Sequence, residues 1–202
     1  EMLTRDWSSD VCSSDLLNMR SVCVYCASSS RIDTGYTEAA EALGTLLGEG
    51  RWRVINGAGS FGLMRVISDA TLKAGGTVVG VIPHFMVENG WCHSGLTELI
   101  RVETMHERKQ RMADMSDAVI ALPGGCGTLE ELMEIITWRQ LGLYHHPVVI
   151  LNTNHYYDPL LEMLNRAEDE QFMRLQRRML WQVAETPEEL TQIGRASCRE
   201  RV

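Results

Sequence analysis

The sequence predicts an α/β protein: a doubly wound, Rossmann-like parallel sheet with helices on both faces. Three observations carry that expectation. Short Val- and Ile-rich runs alternate with longer segments whose apolar residues recur at helical spacing. Those runs lack polar alternation, as strands covered on both faces require. Glycine- or serine-rich turns follow them at Cys26–Ser30, Asn56–Gly62 and Pro123–Thr128. Right-handed crossovers would gather all three turns at the carboxyl edge of one sheet, where ligands of such folds sit.

In chain order, Ser21–Tyr25 reads as the first strand. Thr34–Glu49 carries Ala39, Leu43, Leu46 and Leu47 at helical spacing, and Gly50 ends it. Trp52–Ile55 is a short strand, Asn56–Gly59 a loop and Leu63–Ala74 a helix. Gly75-Gly76 breaks that helix before a Val-rich strand, Thr77–Ile82, which stops at Pro83. The mixed composition of Phe85–Gly95 selects no element. Leu99–Val102 reads as a strand, Met105–Met115 as a helix and Ala118–Leu122 as a strand. Leu129–Leu141 is helical and Val148–Leu151 is a strand. Asp158-Pro159 opens a helix to about Asp169, and the Met-rich stretch from Met163 to Met179 reads as helix packing. Pro187–Leu190 is a last helical segment. No internal repeat or low-complexity linker interrupts this pattern.

Both ends of the chain look foreign to it. Asp6–Leu16 (DWSSDVCSSDL) resembles the translation of a sequencing-adapter oligonucleotide, and Ile193–Val202 (IGRASCRERV) resembles one in the opposite orientation. Residues 19–192 are therefore expected to form a single domain, with 1–18 and 193–202 packing on nothing. A formal net charge of −8 argues against bulk affinity for nucleic acid or anionic membrane. No apolar run approaches the roughly 20 residues of a membrane span. Cys23 and Cys26 form a C-x-x-C, but Cys23 falls inside the first strand and there is no second such pair or ligand-spaced His pair. Buried reduced thiols are the better reading, and they fit a cytoplasmic address; no metal or other cofactor is implied.

The chemistry concentrates in the turns. Ser28 and Ser29 offer hydroxyls and N–H groups for a phosphate or ribose, although Ser after a strand also caps helices. Gly57-Ala-Gly-Ser-Phe-Gly62 matches G-x-G-x-x-G, but after the second strand and without an acid about 20 residues on, so a dinucleotide site is disfavoured. Pro123-Gly-Gly-Cys-Gly-Thr-Leu-Glu-Glu131 is far more specific. A strand, three glycines (Gly124, Gly125, Gly127) and a helix start bare a backbone to an anion. Carboxylates directly behind it would face another part of the ligand. Arg108 and Lys109 open a helix whose N-terminus a crossover would bring to the same edge, although two cations there oppose the helix dipole.

Together, Met105-His-Glu-Arg-Lys109, Pro123–Glu131 and the G-x-G-x-x-G-L-M run ending at Met64 resemble the LONELY GUY (LOG) family, once widely labelled lysine decarboxylases. The resemblance covers Met19 to about Asp169. It implies a phosphoribohydrolase that cuts the N-glycosidic bond of nucleoside 5′-monophosphates, AMP or cytokinin ribotides, to free base and ribose 5-phosphate. It also implies that Arg108 and Glu131 are catalytic. Lys109, Gly125, Cys126, Gly127, Thr128, Leu129, Glu130 and Thr137 fall at family ligand-binding positions, and a homodimer through helices near Leu129–Leu141 is implied. Ala58 and Arg65 stand where family members usually carry glycine, and Gly90 where plant members carry a ligand-contacting glutamate. Val87–Leu96 therefore looks like a divergent base-side loop.

Breaking a ribose–base bond builds positive charge on the sugar. A carboxylate fixed near C1′ stabilises that charge by about 4 kcal/mol at roughly 4 Å and an effective dielectric near 20. Glu131 suits this role; its plain alternative is a solvent-facing first-turn acid. Two other functions fit the same residues. One is a nucleotide-binding module without catalysis. The other is lysine decarboxylation, for which no persuasive cofactor-binding lysine stands out.

Overall fold

The computed structural model describes residues 21–173 and 180–190. Both adapter-like ends and the tract 174–179 lie outside the described residues, as does the expectation that the ends pack on nothing.

Thirteen strands and α-helices follow one another: β1 (Ser21–Tyr25), α1 (Thr34–Glu49), β2 (Arg53–Asn56), α2 (Gly62–Lys73), β3 (Thr77–Pro83), α3 (His84–Glu88), β4 (Glu98–Val102), α4 (Met105–Asp114), β5 (Val119–Ala121), α5 (Cys126–Gln140), β6 (Val148–Leu151), α6 (Asp158–Asp169) and β7 (Gln182–Ala184). The strands form one sheet in the order β4-β3-β2-β1-β5-β6-β7. Every pairing among them is parallel. The chain winds outward from β1 to β4, then crosses back to lay β5 on the other side of β1. The β1/β5 seam is thus the topological switch point, where the loops diverge and leave a crevice.

Alternate residues of each strand feed two cores. Cys23, Tyr25, Val119, Ala121, Val148 and Ile150 face one way, into a core closed by Met112 of α4, Leu132, Ile135 and Ile136 of α5, and Leu164 of α6. Val22, Val24, Ile120, Leu122, Val149 and Leu151 face the other way, onto Ala40, Leu43 and Leu47 of α1 and Leu63 and Ile67 of α2. This is the predicted doubly wound sandwich. The α1 and α2 helices pack closely because a Cβ at Gly44 would come within 2.7 Å of the Ala70 methyl, and one at Gly48 within 2.5 Å of the Ala74 methyl.

Three boundaries differ from expectation. β7 has only three residues and pairs with β6 alone, too short a run to show periodicity. Segment 85–95 begins with the short helix α3, whose five residues carry no stripe of buried positions. The helix expected from Leu129 starts at Cys126, so the glycine turn runs straight into its first turn, with Gly125 as the N-cap. No helix among the described residues is long and apolar enough to cross a membrane.

Candidate active site

α4 starts with a side-chain cap and an acid that reaches back to the residue before that cap. The Thr104 hydroxyl accepts from the Glu107 N–H at 3.1 Å, and the Glu107 carboxylate accepts from the Glu103 N–H at 2.9 Å. This anchors the helix end at the carboxyl edge of the sheet and presents Arg108 and Lys109 to the interior. Both are buried. The Arg108 guanidinium donates through Nε to the Val81 carbonyl of β3 at 3.1 Å. Through Nη1 it donates to Glu131 Oε1 of α5, also at 3.1 Å. It thereby spans the two halves of the sheet. Gly57, in the turn after β2, makes room for it: a Cβ there would lie 1.7 Å from Nη2.

Glu131 is buried as well, so the sequence alternative of a solvent-facing acid does not hold. Burial pushes its carboxyl above the ordinary value of 4.5; Arg108 pulls it down without cancelling that rise, and Glu130 adds to it. Behind the pair, burial holds the Cys23 and Cys26 thiols well above their usual range, with the Glu131 charge contributing. The C-x-x-C is thus a pair of protonated, buried thiols.

Lys109 is turned inward too. Its ammonium donates to Glu130 and, at 3.1 Å, to Glu134, both on α5. Burial pulls its pKa down, but the two carboxylates outweigh it and hold the amine above 10.5. The structure therefore brings Lys109 and Glu130 together as a brace between α4 and α5.

The glycine turn lies beyond this ionic layer. Gly124 is buried, with the Thr128 side chain where a Cβ would sit. Thr128 is buried in turn, and Leu129 packs on the α4–α6 side of the core. Gly125, Cys126 and Gly127 are exposed, and a Cβ at Gly125 or Gly127 would meet nothing within 4 Å. Gly125 offers no side-chain cap. The first N–H groups of α5 lack intrahelical partners by geometry and carry the positive end of the helix dipole. An open, uncapped helix start is an anion seat, and Glu131 lies five residues further along the helix, about 7.5 Å by its rise. Thr137 is exposed, donates to the Met133 carbonyl, and sits about 16 Å along the axis from Cys126. The structure does not bring it to the turn within one chain.

Ser28 and Ser29 are exposed after β1, at the switch point, and their backbone closes on Gly62. Gly59 lies against the Met64 side chain. Ala58, between Gly57 and Gly59, is held by Asn56, whose Oδ1 accepts from the Ala58 N–H at 2.9 Å and whose Nδ2 donates to Ser68 at 2.9 Å. The divergent loop is tied to this turn: the Ser60 N–H donates to the Trp91 carbonyl, and the His93 N–H to the Ala58 carbonyl, each at 2.9 Å. The His93 ring accepts from the Gly95 N–H through Nδ1, so its Nε2 proton points to Asp69 at 2.9 Å. Arg65, the residue that departs from the family glycine, is the other partner of Asp69. Gly90 is exposed with φ +74 and makes no side-chain contact in place of the plant glutamate.

Sequence reasoning missed the other wall of the turn. The Tyr156 hydroxyl donates to the Gly124 carbonyl and the Tyr157 hydroxyl to the Leu122 carbonyl, both at 2.7 Å. The one available signal was a Tyr-Tyr pair just before a helix start, which has no period to mark it.

A family model described as "Possible lysine decarboxylase" matches residues 64–193. The chain is 45% identical over 155 residues to the cytokinin riboside 5′-monophosphate phosphoribohydrolase of Rhodococcoides fascians, covering 76% of this chain and 78% of that protein. It is 43% identical over 171 residues to the Arabidopsis thaliana enzyme of that name, LOG5, covering 85% of this chain and 75% of the relative. Among solved structures, a molybdenum cofactor binding protein from Rippkaea orientalis superposes with a TM-score of 0.66 at 20% identity, covering 89% of this chain and 97% of that one. At that identity the likeness concerns the fold alone.

Proposed function

The chain belongs to the LOG family of cytokinin riboside 5′-monophosphate phosphoribohydrolases, and from that premise we propose that it hydrolyses the N-glycosidic bond of nucleoside 5′-monophosphates, AMP or cytokinin ribotides. The observation that carries this reading is the buried Arg108–Glu131 pair at 3.1 Å, set one and a half turns behind an open, uncapped glycine turn. The 5′-phosphate sits on the N–H groups of Gly125 to Thr128. The ribose then spans the distance to the carboxylate.

As the C1′–N bond lengthens, its electron pair leaves with the base, which takes up a proton. Water adds to C1′, and its second proton is released. Glu131 stabilises the cationic sugar between these events. Arg108, anchored on the Val81 carbonyl, holds that carboxylate through Nη1, so the stabilising charge needs no rearrangement during the reaction.

The decarboxylase label of the family model suits these residues poorly. The chain's lysines are Lys73 and Lys109. A Schiff-base lysine needs a depressed pKa, whereas Lys109 is held protonated by two carboxylates and Lys73 is exposed at the end of α2.

A homodimer is part of the proposal. Leu141, Leu143, Met163 and Phe172 are large apolar side chains exposed on and just beyond α5 and α6. They suit the contact expected near Leu129–Leu141, and light scattering of the purified protein tests it. A cytoplasmic address is proposed from the two buried thiols, Cys23 and Cys26.

Incubation with a panel of nucleoside monophosphates, followed by chromatography of the freed bases, tests the activity. Adenine and ribose 5-phosphate from AMP are expected. Saturable AMP binding without base release would instead favour a nucleotide-binding module, and carbon dioxide from lysine would favour the decarboxylase.

A further inference from the structure

Each of the four carbonyls from Leu122 to Gly125 accepts a hydrogen bond. Leu122 accepts from the Tyr157 hydroxyl at 2.7 Å, and Gly124 from the Tyr156 hydroxyl at 2.7 Å. Pro123 accepts from the Ala27 N–H at 3.3 Å, and Gly125 from the Leu129 N–H at 3.0 Å. The described chain has no cis peptide. In a planar trans peptide the C=O and N–H of one unit point in opposite directions. Fixing the Gly124 carbonyl on Tyr156 therefore fixes the Gly125 N–H on the opposite side, away from the tyrosine. The Leu122 carbonyl differs, because its peptide unit ends on Pro123, which has no N–H. Tyr157 thus orients no donor.

The segment that delivers Tyr156 is strained. Asn154 and His155, immediately before it, are both left-handed, with φ 55 and 57. Such a conformation costs a non-glycine residue free energy and persists only where its surroundings impose it. Here Asn152 imposes it: its Oδ1 accepts from the Tyr157 N–H at 2.7 Å, and its Nδ2 donates to Asp158 at 2.8 Å. The Asn152 N–H donates to the Ala184 carbonyl of β7 at 2.7 Å. Burial does not account for the placement of Tyr156, which is 41% exposed. Its ring lies edge-on to Tyr36 at 6.0 Å and to Tyr157 at 5.1 Å.

We propose that Tyr156 is a positioning residue for substrate phosphate: its hydroxyl locks the Gly124–Gly125 peptide so that the Gly125 N–H faces the bound anion. Without the hydroxyl the Gly124–Gly125 peptide loses its own acceptor contact and joins two glycines, the residues least able to resist its rotation. The inference rests on the turn being the phosphate seat.

Calorimetric titration of the full chain with ribose 5-phosphate and, separately, with free adenine tests it on Tyr156→Phe and Tyr157→Phe. Tyr156→Phe keeps the ring contacts and is expected to weaken ribose 5-phosphate roughly fivefold, the size of one net hydrogen bond, with adenine affinity and Tm close to wild type. KM for AMP rises in parallel while kcat holds. Tyr157→Phe is expected to do the reverse, lowering Tm and leaving ribose 5-phosphate affinity unchanged. The proposal is overturned if Tyr156→Phe binds ribose 5-phosphate like wild type, if it loses adenine equally, or if Tyr157→Phe weakens ribose 5-phosphate as much. Absence of base release from AMP by the wild type would sink the hydrolase reading alone, because the ribose 5-phosphate comparison would still decide the role of Tyr156. Absence of ribose 5-phosphate binding by the wild type would overturn the role of Tyr156.

Discussion

Two glycine turns meet at one edge of the sheet and use their missing side chains for opposite purposes. In the turn after β2 the space is already taken by the protein: Gly57 yields to the Arg108 guanidinium, and Gly62 to the backbone of Ser28 and Ser29. In the turn after β5 the space at Gly125 and Gly127 is open. The first turn is a mould for the buried Arg108–Glu131 pair. The second leaves its space unfilled by protein, as the proposed phosphate seat requires. G-x-G patterns look alike in a sequence; only the neighbours of the absent Cβ tell them apart.

The largest effect should come from the layer the first turn moulds. Glu131→Gln keeps an oxygen for Arg108 but removes the charge, and about 4 kcal/mol of lost stabilisation lowers kcat for AMP roughly a thousandfold. Tm should hold or rise, because burial disfavours the native carboxylate; retained turnover would remove Glu131 from the mechanism. Gly57→Ala follows, since its new methyl must displace the guanidinium. A shift of about 1 Å in a preorganised group costs on the order of a hundredfold in kcat, and steady-state kinetics with unchanged circular dichroism checks it. Gly127→Ala tests the opposite claim. It should stabilise the fold by about 0.5–1 kcal/mol as a helical alanine yet raise KM for AMP; a lower melting temperature with normal KM would show that the two turns are not different in kind.

The pH dependence sharpens the same contrast. The proposed mechanism needs ionised Glu131, whose pKa is raised above 4.5 by burial, so the acid limb of kcat/KM is expected above that value. Between 4.5 and the raised value the native state binds more protons than the unfolded chain, so this group's contribution to stability falls as pH rises. Activity and stability should move in opposite directions there, and Glu131→Gln should abolish that part of the trend in Tm. The smallest effect is expected at Ala58, left-handed with φ 58 and with its methyl against Gly80. Ala58→Gly relieves about 1 kcal/mol of strain but empties that contact, so thermal melting should shift little.

Much of this was legible in the residues. Val/Ile runs covered on both faces leave a plain pattern in β1, β2, β3, β5 and β6; β4 is mostly uncovered and β7 has three residues. The motif pair brought Arg108 and Glu131 into view, and the structure joins them. What the sequence hid was direction. Lys109 stands beside Arg108 in the chain, yet it reaches across to Glu130 and Glu134 because helices α4 and α5 lie side by side. Tyr156 and Tyr157 were invisible for a related reason. Their partners are backbone carbonyls, which every residue has, so no composition or spacing betrays them.

The inward commitment of Arg108 and Lys109 has a consequence for how an incoming dianion is met. Neither motif cation reaches out to escort it, and the chain carries a formal net charge of −8. In the proposed phosphate seat, reception falls mainly to peptide dipoles at the start of α5, whose pull is short-ranged. Added electrolyte should therefore leave nucleotide capture nearly unaltered, or hasten it slightly by masking like-sign repulsion, where a lysine-lined cleft would be slowed.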